Sequence, residues 1–181
     1  MKKGIVATFS IIIFALLVYA LVWYESYQRS NLYLEQANAS FAAGDYTTAL
    51  KGGEVYDQEL GSYVFIAGYE HVLAIWSSDW AAPKPASYYQ SQAKIDEIIY
   101  EKLTADQGIQ IFKQYLNLSN DHLPEILIQS GNLYLQEREL VKAQQTFELA
   151  IKAFGYKTEI RTEAEKKLTE IEQLQKTEDN Q

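Results

Sequence analysis

Residue types that commonly carry chemistry are scarce or missing in this chain. Cysteine is absent, which excludes a disulfide framework, a thiolate metal site and a cysteine nucleophile. The only two histidines, His71 and His122, do not stand at ligand spacing from other metal-binding residues. No phosphate loop or nucleophile elbow is present, and the carboxylates scatter over helical faces. The sequence therefore predicts a non-catalytic protein that needs no cofactor or metal.

Charge is missing from one long stretch near the N-terminus. Residues 4–24 contain no charged side chain, and a helix rising about 1.5 Å per residue would cross the ~30 Å hydrocarbon core of a bilayer over this length. Trp23 and Tyr24 end the stretch, where interfacial aromatic residues are common. Lys2 and Lys3 precede it. The positive-inside rule therefore predicts a single-pass protein of an inner or plasma membrane, with a cytoplasmic N-terminus and an extracytoplasmic domain.

The predicted organisation has four parts. They are a cytoplasmic N-terminus (1–3), a transmembrane anchor (4–24), a helical domain (25–176) and a flexible tail (177–181). A cleaved signal peptide stays open as an alternative, because Val18-Tyr19-Ala20 loosely fits the small-residue cleavage rule. The apolar character that continues past Ala20 argues against cleavage, and an inverted, cytoplasmic domain also stays open. A lipoprotein anchor is excluded because there is no cysteine.

Basic residues are the minority after the anchor. Without Lys2 and Lys3, 14 basic residues face 24 acidic ones, which gives this part a net charge of −10. Such a surface repels phosphate, so we expect no nucleic-acid partner. Neutral or cationic proteins fit this charge better.

Apolar residues downstream recur at three- and four-residue spacing, which predicts an all-α domain. Gly44, Gly61, Pro83 and Gly155 separate the helices, and Thr104 begins a capping box. The predicted helices are 27–43, 46–60, 62–78, 86–103, 105–118, 124–136, 140–154 and 158–176.

Five residues late in the chain form a recognisable pattern. Gly131 is followed by Tyr134, Ala143, Phe147 and Ala150, with small residues where two helices touch and large ones between hairpins. This pattern resembles the tetratricopeptide repeat (TPR), a helical hairpin of about 34 residues. The resemblance implies a TPR-like α-solenoid, whose open end the polar last helix would cap.

A weaker copy of the pattern precedes it. Ala37 and Ala49 take the small positions, whereas Gly53 and Tyr56 depart from the usual aromatic residue and alanine. The 94 residues between Ala49 and Ala143 do not fit intact repeats, so we expect an irregular middle, centred on residues 76–89.

The resemblance also implies a concave groove that binds a peptide or helix. Apolar residues replace the lysine of the family's carboxylate clamp, so an apolar segment is the expected occupant. Trp80, in the aromatic loop of the irregular middle, is expected to be an exposed contact residue. The groove positions are Leu34, Asn38 and Phe41 in the first copy and Ile128, Asn132 and Leu135 in the late one.

Two functional classes follow from these features. The first is a membrane-tethered adaptor or accessory subunit that binds a protein partner in a bacterial-type envelope complex. The second is an extracytoplasmic binder of a small apolar ligand, held among the aromatic residues near Trp76 and Tyr89. A secreted TPR domain would result from signal-peptide cleavage.

Overall fold

The N-terminal helix does not stop where the uncharged stretch ends. A computed structural model describes the backbone of residues 2–178 and the side chains of residues 9–177. Helix α1 (Lys2–Ala42) is unbroken over 41 residues, or about 60 Å. No proline or glycine lies between Phe9 and Ala42, so nothing interrupts its hydrogen-bond ladder. The predicted anchor and the first predicted domain helix are therefore one rod.

Within the described residues, α1 is also the one helix long and apolar enough to cross a membrane. The candidate stretch is Phe9–Ala42, and none of its most apolar window is buried inside the protein. The prediction of a mainly helical fold with one long apolar N-terminal helix is confirmed.

The first of two compact units covers residues 1–95. Its core joins the C-terminal half of α1 to short elements that pack against it, and its largest fully buried side chains are Trp76, Tyr69, Leu50 and Ile95. After α1 come α2 (Tyr46–Lys51), strands β1 (Gly53–Asp57) and β2 (Ser62–Ile66), α3 (Tyr69–Ile75), a loop over residues 76–85 and α4 (Ala86–Glu97).

A β-hairpin replaces the end of one predicted helix and the beginning of the next. We expected helices over 46–60 and 62–78, but β1 and β2 form an antiparallel pair with Gly53 opposite Ile66 and Asp57 opposite Ser62. Asp57 Oδ1 accepts hydrogen bonds from the backbone N–H groups of Glu59 and Leu60, which closes the turn. The β-branched and aromatic residues of these strands favour extended backbone, a preference that the helical periodicity concealed. The departure from helical hairpins therefore begins well before residue 76.

The second compact unit covers residues 96–181, of which 179–181 lie outside the described part. A π-helical turn (Ile98–Lys102) continues α4, and four helices follow. They are α5 (Ala105–Tyr115), α6 (Leu123–Gln136), α7 (Leu140–Phe154) and α8 (Thr158–Glu178). Helix α6 packs against α5, α7 and α8, so it is the central helix of this unit.

Helix ends follow the expected local chemistry. Asp45 caps α2 by accepting from Thr48 N–H at 3.0 Å, and Gly44 takes a left-handed conformation at φ 78°. Thr104 and Gln107 form the predicted capping box at the start of α5. The four C-terminal helices lie within a few residues of their predicted bounds. Helix α8 runs on to Glu178, so residues 177 and 178 of the predicted flexible tail are helical and the rest of that tail lies outside the described residues.

Candidate functional site

A groove lies between α6 and α8 in the second unit. It encloses about 540 Å³. Two of the predicted groove residues, Asn132 and Leu135, line it, whereas Ile128 is almost fully buried and is not among its lining residues. The others that line it are Gln129, Gln136, Arg138, Lys167, Glu170 and Leu174.

The groove combines amide, apolar and charged groups. Leu135 and Leu174 supply apolar surface. Lys167 Nζ and Glu170 Oε2 are 3.0 Å apart and neutralise each other. Asn132 Oδ1 is buried and has no hydrogen-bond partner among the described residues. A buried acceptor without a partner costs about 1–3 kcal/mol, so a donor that reached it would bind favourably.

Residues at the predicted packing positions of the late repeat are buried. A Cβ atom added at Gly131 would lie 2.7 Å from the Phe147 ring, so the absent side chain lets α6 and α7 approach. Tyr134 donates a hydrogen bond to Asp106 Oδ1, and burial together with this bond raises its pKa to about 12. Ala143 and Ala150 are fully buried, as are Ala37 and Ala49 in the first unit.

The remaining predicted groove residues belong to the first unit. Asn38 is exposed but already paired, because its Oδ1 accepts from the Tyr69 hydroxyl at 2.7 Å. Phe41 is half-buried, with its ring beside Tyr46 and Lys94 Nζ 4.0 Å from its centroid. Leu34 is half-buried. Asn38 and Phe41 thus already make contacts within their own unit.

The aromatic loop of residues 76–85 is fastened to the apolar helix. The Tyr19 hydroxyl lies within hydrogen-bond distance of the Trp80 carbonyl, at 2.9 Å, and of the Ala82 carbonyl. Trp23 Nε1 donates to the Pro83 carbonyl at 3.0 Å. Trp80 itself is 86% exposed, in line with its predicted exposure.

A second cavity, of about 250 Å³, lies between this loop and α1. Trp76, only 1% exposed, packs against Trp23 with ring centroids 5.7 Å apart. Tyr89, expected beside it, is instead exposed and does not line the cavity. The residues that line it are Tyr19, Val22, Trp23, Ser26, Ile75, Trp76, Ser78, Trp80 and Ala81.

Sequence reasoning missed two contributions to these sites. One face of α8 lines the groove with residues at helical spacing, namely Lys167, Glu170 and Leu174. This signal was available in the sequence, but the helix was assigned as a polar cap. The sequence places Tyr19 in the apolar span and in the possible cleavage motif, and neither pattern predicts that its hydroxyl contacts the loop carbonyls.

Comparison of this chain with protein-family models, with curated proteins and with solved structures finds no match. Among the described residues, no group of three or more His, Asp or Glu side chains is arranged to hold a metal ion. The function must therefore be inferred from the two sites themselves.

Proposed function

We propose that this protein is a non-catalytic, membrane-tethered adaptor that holds a segment of a protein partner in the α6–α8 groove. The observation that carries the proposal is Asn132 Oδ1, a buried acceptor without a partner at a groove of about 540 Å³. A backbone N–H of a bound segment would satisfy it, as the resemblance to TPR grooves implies.

The arrangement of the second unit supports a TPR-like hairpin array. Gly131 brings α6 and α7 together, and α8 packs against both helices. In a TPR solenoid, the first helix of each hairpin lines the concave face, and α6 and α8 would be such helices here. The first unit supports the resemblance less, because α2 is six residues long and a β-hairpin follows it.

The occupant that fits best is an uncharged segment with apolar side chains. Leu135 and Leu174 would contact those side chains, and Lys167 and Glu170 already neutralise each other. Arg138 adds a positive charge at this groove, so an acidic residue at the end of the segment would be accepted.

Two features support attachment to a membrane with the domain outside the cytoplasm. Helix α1 is long and apolar enough to span a bilayer, and Lys2 and Lys3 precede the apolar stretch. Signal-peptide cleavage after Ala20 would remove Tyr19, which bonds the loop carbonyls. The contact of Tyr19 with the folded domain therefore favours an uncleaved anchor over a secreted form.

Site-specific photo-crosslinking in native membranes tests the proposal. A photoreactive residue at Gln136, which lines the groove, should capture one defined protein. The matched control is Gln145, an exposed position on α7 that does not line the groove. Equal labelling from both positions, or self-crosslinks only, would reject the groove as a partner site.

The cavity beside Trp76 favours a second candidate function. At about 250 Å³ and lined mostly by aromatic and aliphatic side chains, it could take a small apolar molecule. Mass spectrometry of the intact chain, released gently from membranes, would show a bound compound of fixed mass. The variant Ser26→Trp, whose larger side chain fills the cavity, should lack this compound. A chain that carries no such compound would leave the adaptor as the only candidate.

A further inference from the structure

The loop over residues 76–85 meets α1 within the stretch predicted to lie in the membrane. Tyr19 is four residues before Trp23 and five before Tyr24, so this contact lies about 6–8 Å short of the end of the uncharged stretch. Residues 4–19 alone would reach only about 24 Å, less than the ~30 Å of a hydrocarbon core. Residues 20–24 are therefore needed to complete the span. The Tyr19 contact then lies just inside the outer edge of the hydrocarbon core, and the bond of Trp23 to the Pro83 carbonyl lies at the bilayer interface.

The loop backbone is suited to that depth, because several of its polar groups are paired within the protein. The carbonyls of Trp80 and Ala82 share the Tyr19 hydroxyl, and the Pro83 carbonyl accepts from Trp23 Nε1. On the donor side, Ala81 N–H bonds the Ser78 carbonyl at 3.0 Å and Ala82 N–H bonds that of Trp80 at 2.9 Å. Pro83 and Pro85 have no N–H. Such pairing is what a segment close to lipid requires.

The side chains of the loop fit the same environment. Trp80 is 86% exposed, although Trp is favoured at the water–lipid boundary and not in bulk water. Asp79 and Lys84 are the only charged residues of the loop, and they limit its depth to the headgroup region.

We propose that the loop over residues 76–85 is a second membrane contact, which inserts Trp80 into the outer bilayer interface beside α1. The occupant of this aromatic surface is the lipid headgroup region. The inference rests on the membrane anchoring proposed above. With two attachments, α1 and the loop, the first unit is held at a fixed height and orientation on the membrane.

Fluorescence quenching by spin-labelled lipid tests this inference on the full chain in phosphatidylcholine vesicles. Because the chain has no cysteine, single-site variants take an environment-sensitive fluorophore cleanly. The test position is Asp79→Cys, with Trp80 retained. The controls are Val18→Cys, inside the predicted span, and Ala42→Cys, about 35 Å further along α1.

We expect the label at position 79 to be quenched by shallow spin labels several-fold more than the label at 42, and to an extent comparable with that at 18. Quenching at 18 without quenching at 79 would overturn the loop contact while leaving the anchor intact. Absence of quenching at both positions would overturn the anchor and the loop contact together. A label at 79 shielded from aqueous iodide but not quenched by lipid would assign the surface to a protein instead and overturn the proposal.

A pair of hydroxyl deletions links the insertion to the observed contact. Tyr19→Phe removes the donor shared by the Trp80 and Ala82 carbonyls and should reduce lipid quenching at 79 several-fold. The matched control is Tyr24→Phe, because the Tyr24 hydroxyl accepts from Gln28 within the same helix. This variant should leave lipid quenching at position 79 unchanged. In unlabelled chains, Trp80→Phe should remove part of the lipid-quenchable tryptophan emission. If Trp80→Phe retained all of the lipid-quenchable emission, that emission would come from Trp23 and Trp76 alone, and the proposal would be contradicted.

Discussion

At the scale of single residues, the close approach of α6 and α7 depends on a missing side chain. Gly131→Ala would place a Cβ atom 2.7 Å from Cε1 and Cζ of Phe147, whose ring is fully buried. We expect destabilisation of about 1–3 kcal/mol, measured by chemical denaturation. Gly53→Ala, where the nearest atom is 3.8 Å away, is the matched control. Equal loss in both variants would show that the Phe147 contact is not the cause.

A buried ion pair makes a second prediction at this scale. Lys51 Nζ and Glu70 Oε1 are 2.6 Å apart, and both side chains are almost fully buried. Lys51→Met leaves the Glu70 carboxylate buried without its cation and should cost about 3–5 kcal/mol of unfolding free energy. Adding Glu70→Leu should recover most of the loss. Lys152→Met, at an exposed position on α7, should change stability by less than about 0.5 kcal/mol.

His71 gives the fold a pH dependence. Burial lowers its pKa from 6.5, and the charge of Lys51 lowers it further. The unfolded chain therefore binds the proton more readily. The stability contributed by neutral His71 is fully present above about pH 6.5 and is lost as the pH falls through the folded-state pKa.

The melting temperature of the wild type should thus fall between about pH 7 and pH 5.5, and His71→Gln should flatten this dependence. In the wild type, His71 Nδ1 accepts a hydrogen bond from the Gly68 N–H at 3.2 Å, and the amide oxygen of the substituted Gln keeps an acceptor near that N–H. The control His122→Asn removes the other histidine and suits its left-handed backbone at φ 55°. A pH dependence that His71→Gln leaves unchanged would contradict the assignment.

At the scale of elements, the sequence predicted helices well where local signals agreed. Thr104 before α5, Pro124 in the first turn of α6 and Gly155 after α7 mark helix ends directly. Residues 53–66 carry conflicting signals, because apolar positions there satisfy both a helical and a strand pattern. Gly52 resolves the conflict in three dimensions, since its φ of 72° and close approach to the Ile66 carbonyl fix the base of the hairpin.

The capping box of α5 can be tested as an element. Thr104 Oγ1 accepts from Gln107 N–H at 3.3 Å, and Gln107 Oε1 accepts from Thr104 N–H at 3.0 Å. Thr104→Ala should destabilise the protein by about 1 kcal/mol, whereas Thr104→Ser should keep most of the cap. Hydrogen exchange at residues 105–108 would show the loss locally. Unchanged exchange in the Ala variant would mean that tertiary packing alone fixes this end.

The candidate sites were only partly predictable at this scale. Asn132 and Leu135 follow from the TPR-like spacing, and both line the groove. Asn38 holds the equivalent position in the first copy, but the Tyr69 hydroxyl occupies its oxygen. That contact joins residues 31 positions apart, so no local pattern could reveal it.

At the scale of the whole molecule, the proposed tethering would allow a weak groove to suffice. An adaptor confined to a membrane meets a membrane-bound partner at a high effective concentration, which raises avidity without new contacts. Because α1 runs unbroken from the apolar stretch to Ala42, the first unit would continue directly from the proposed anchor without a flexible linker.

The most direct test of the adaptor is co-purification from native membranes in mild detergent. The full chain should bring down one stoichiometric partner, and Asn132→Ala, which removes the unpartnered oxygen, should reduce its yield several-fold without lowering the melting temperature. Gln145→Ala should retain the partner. Recovery of the same partner in equal amount with Asn132→Ala, or of the chain alone in every case, would contradict the account.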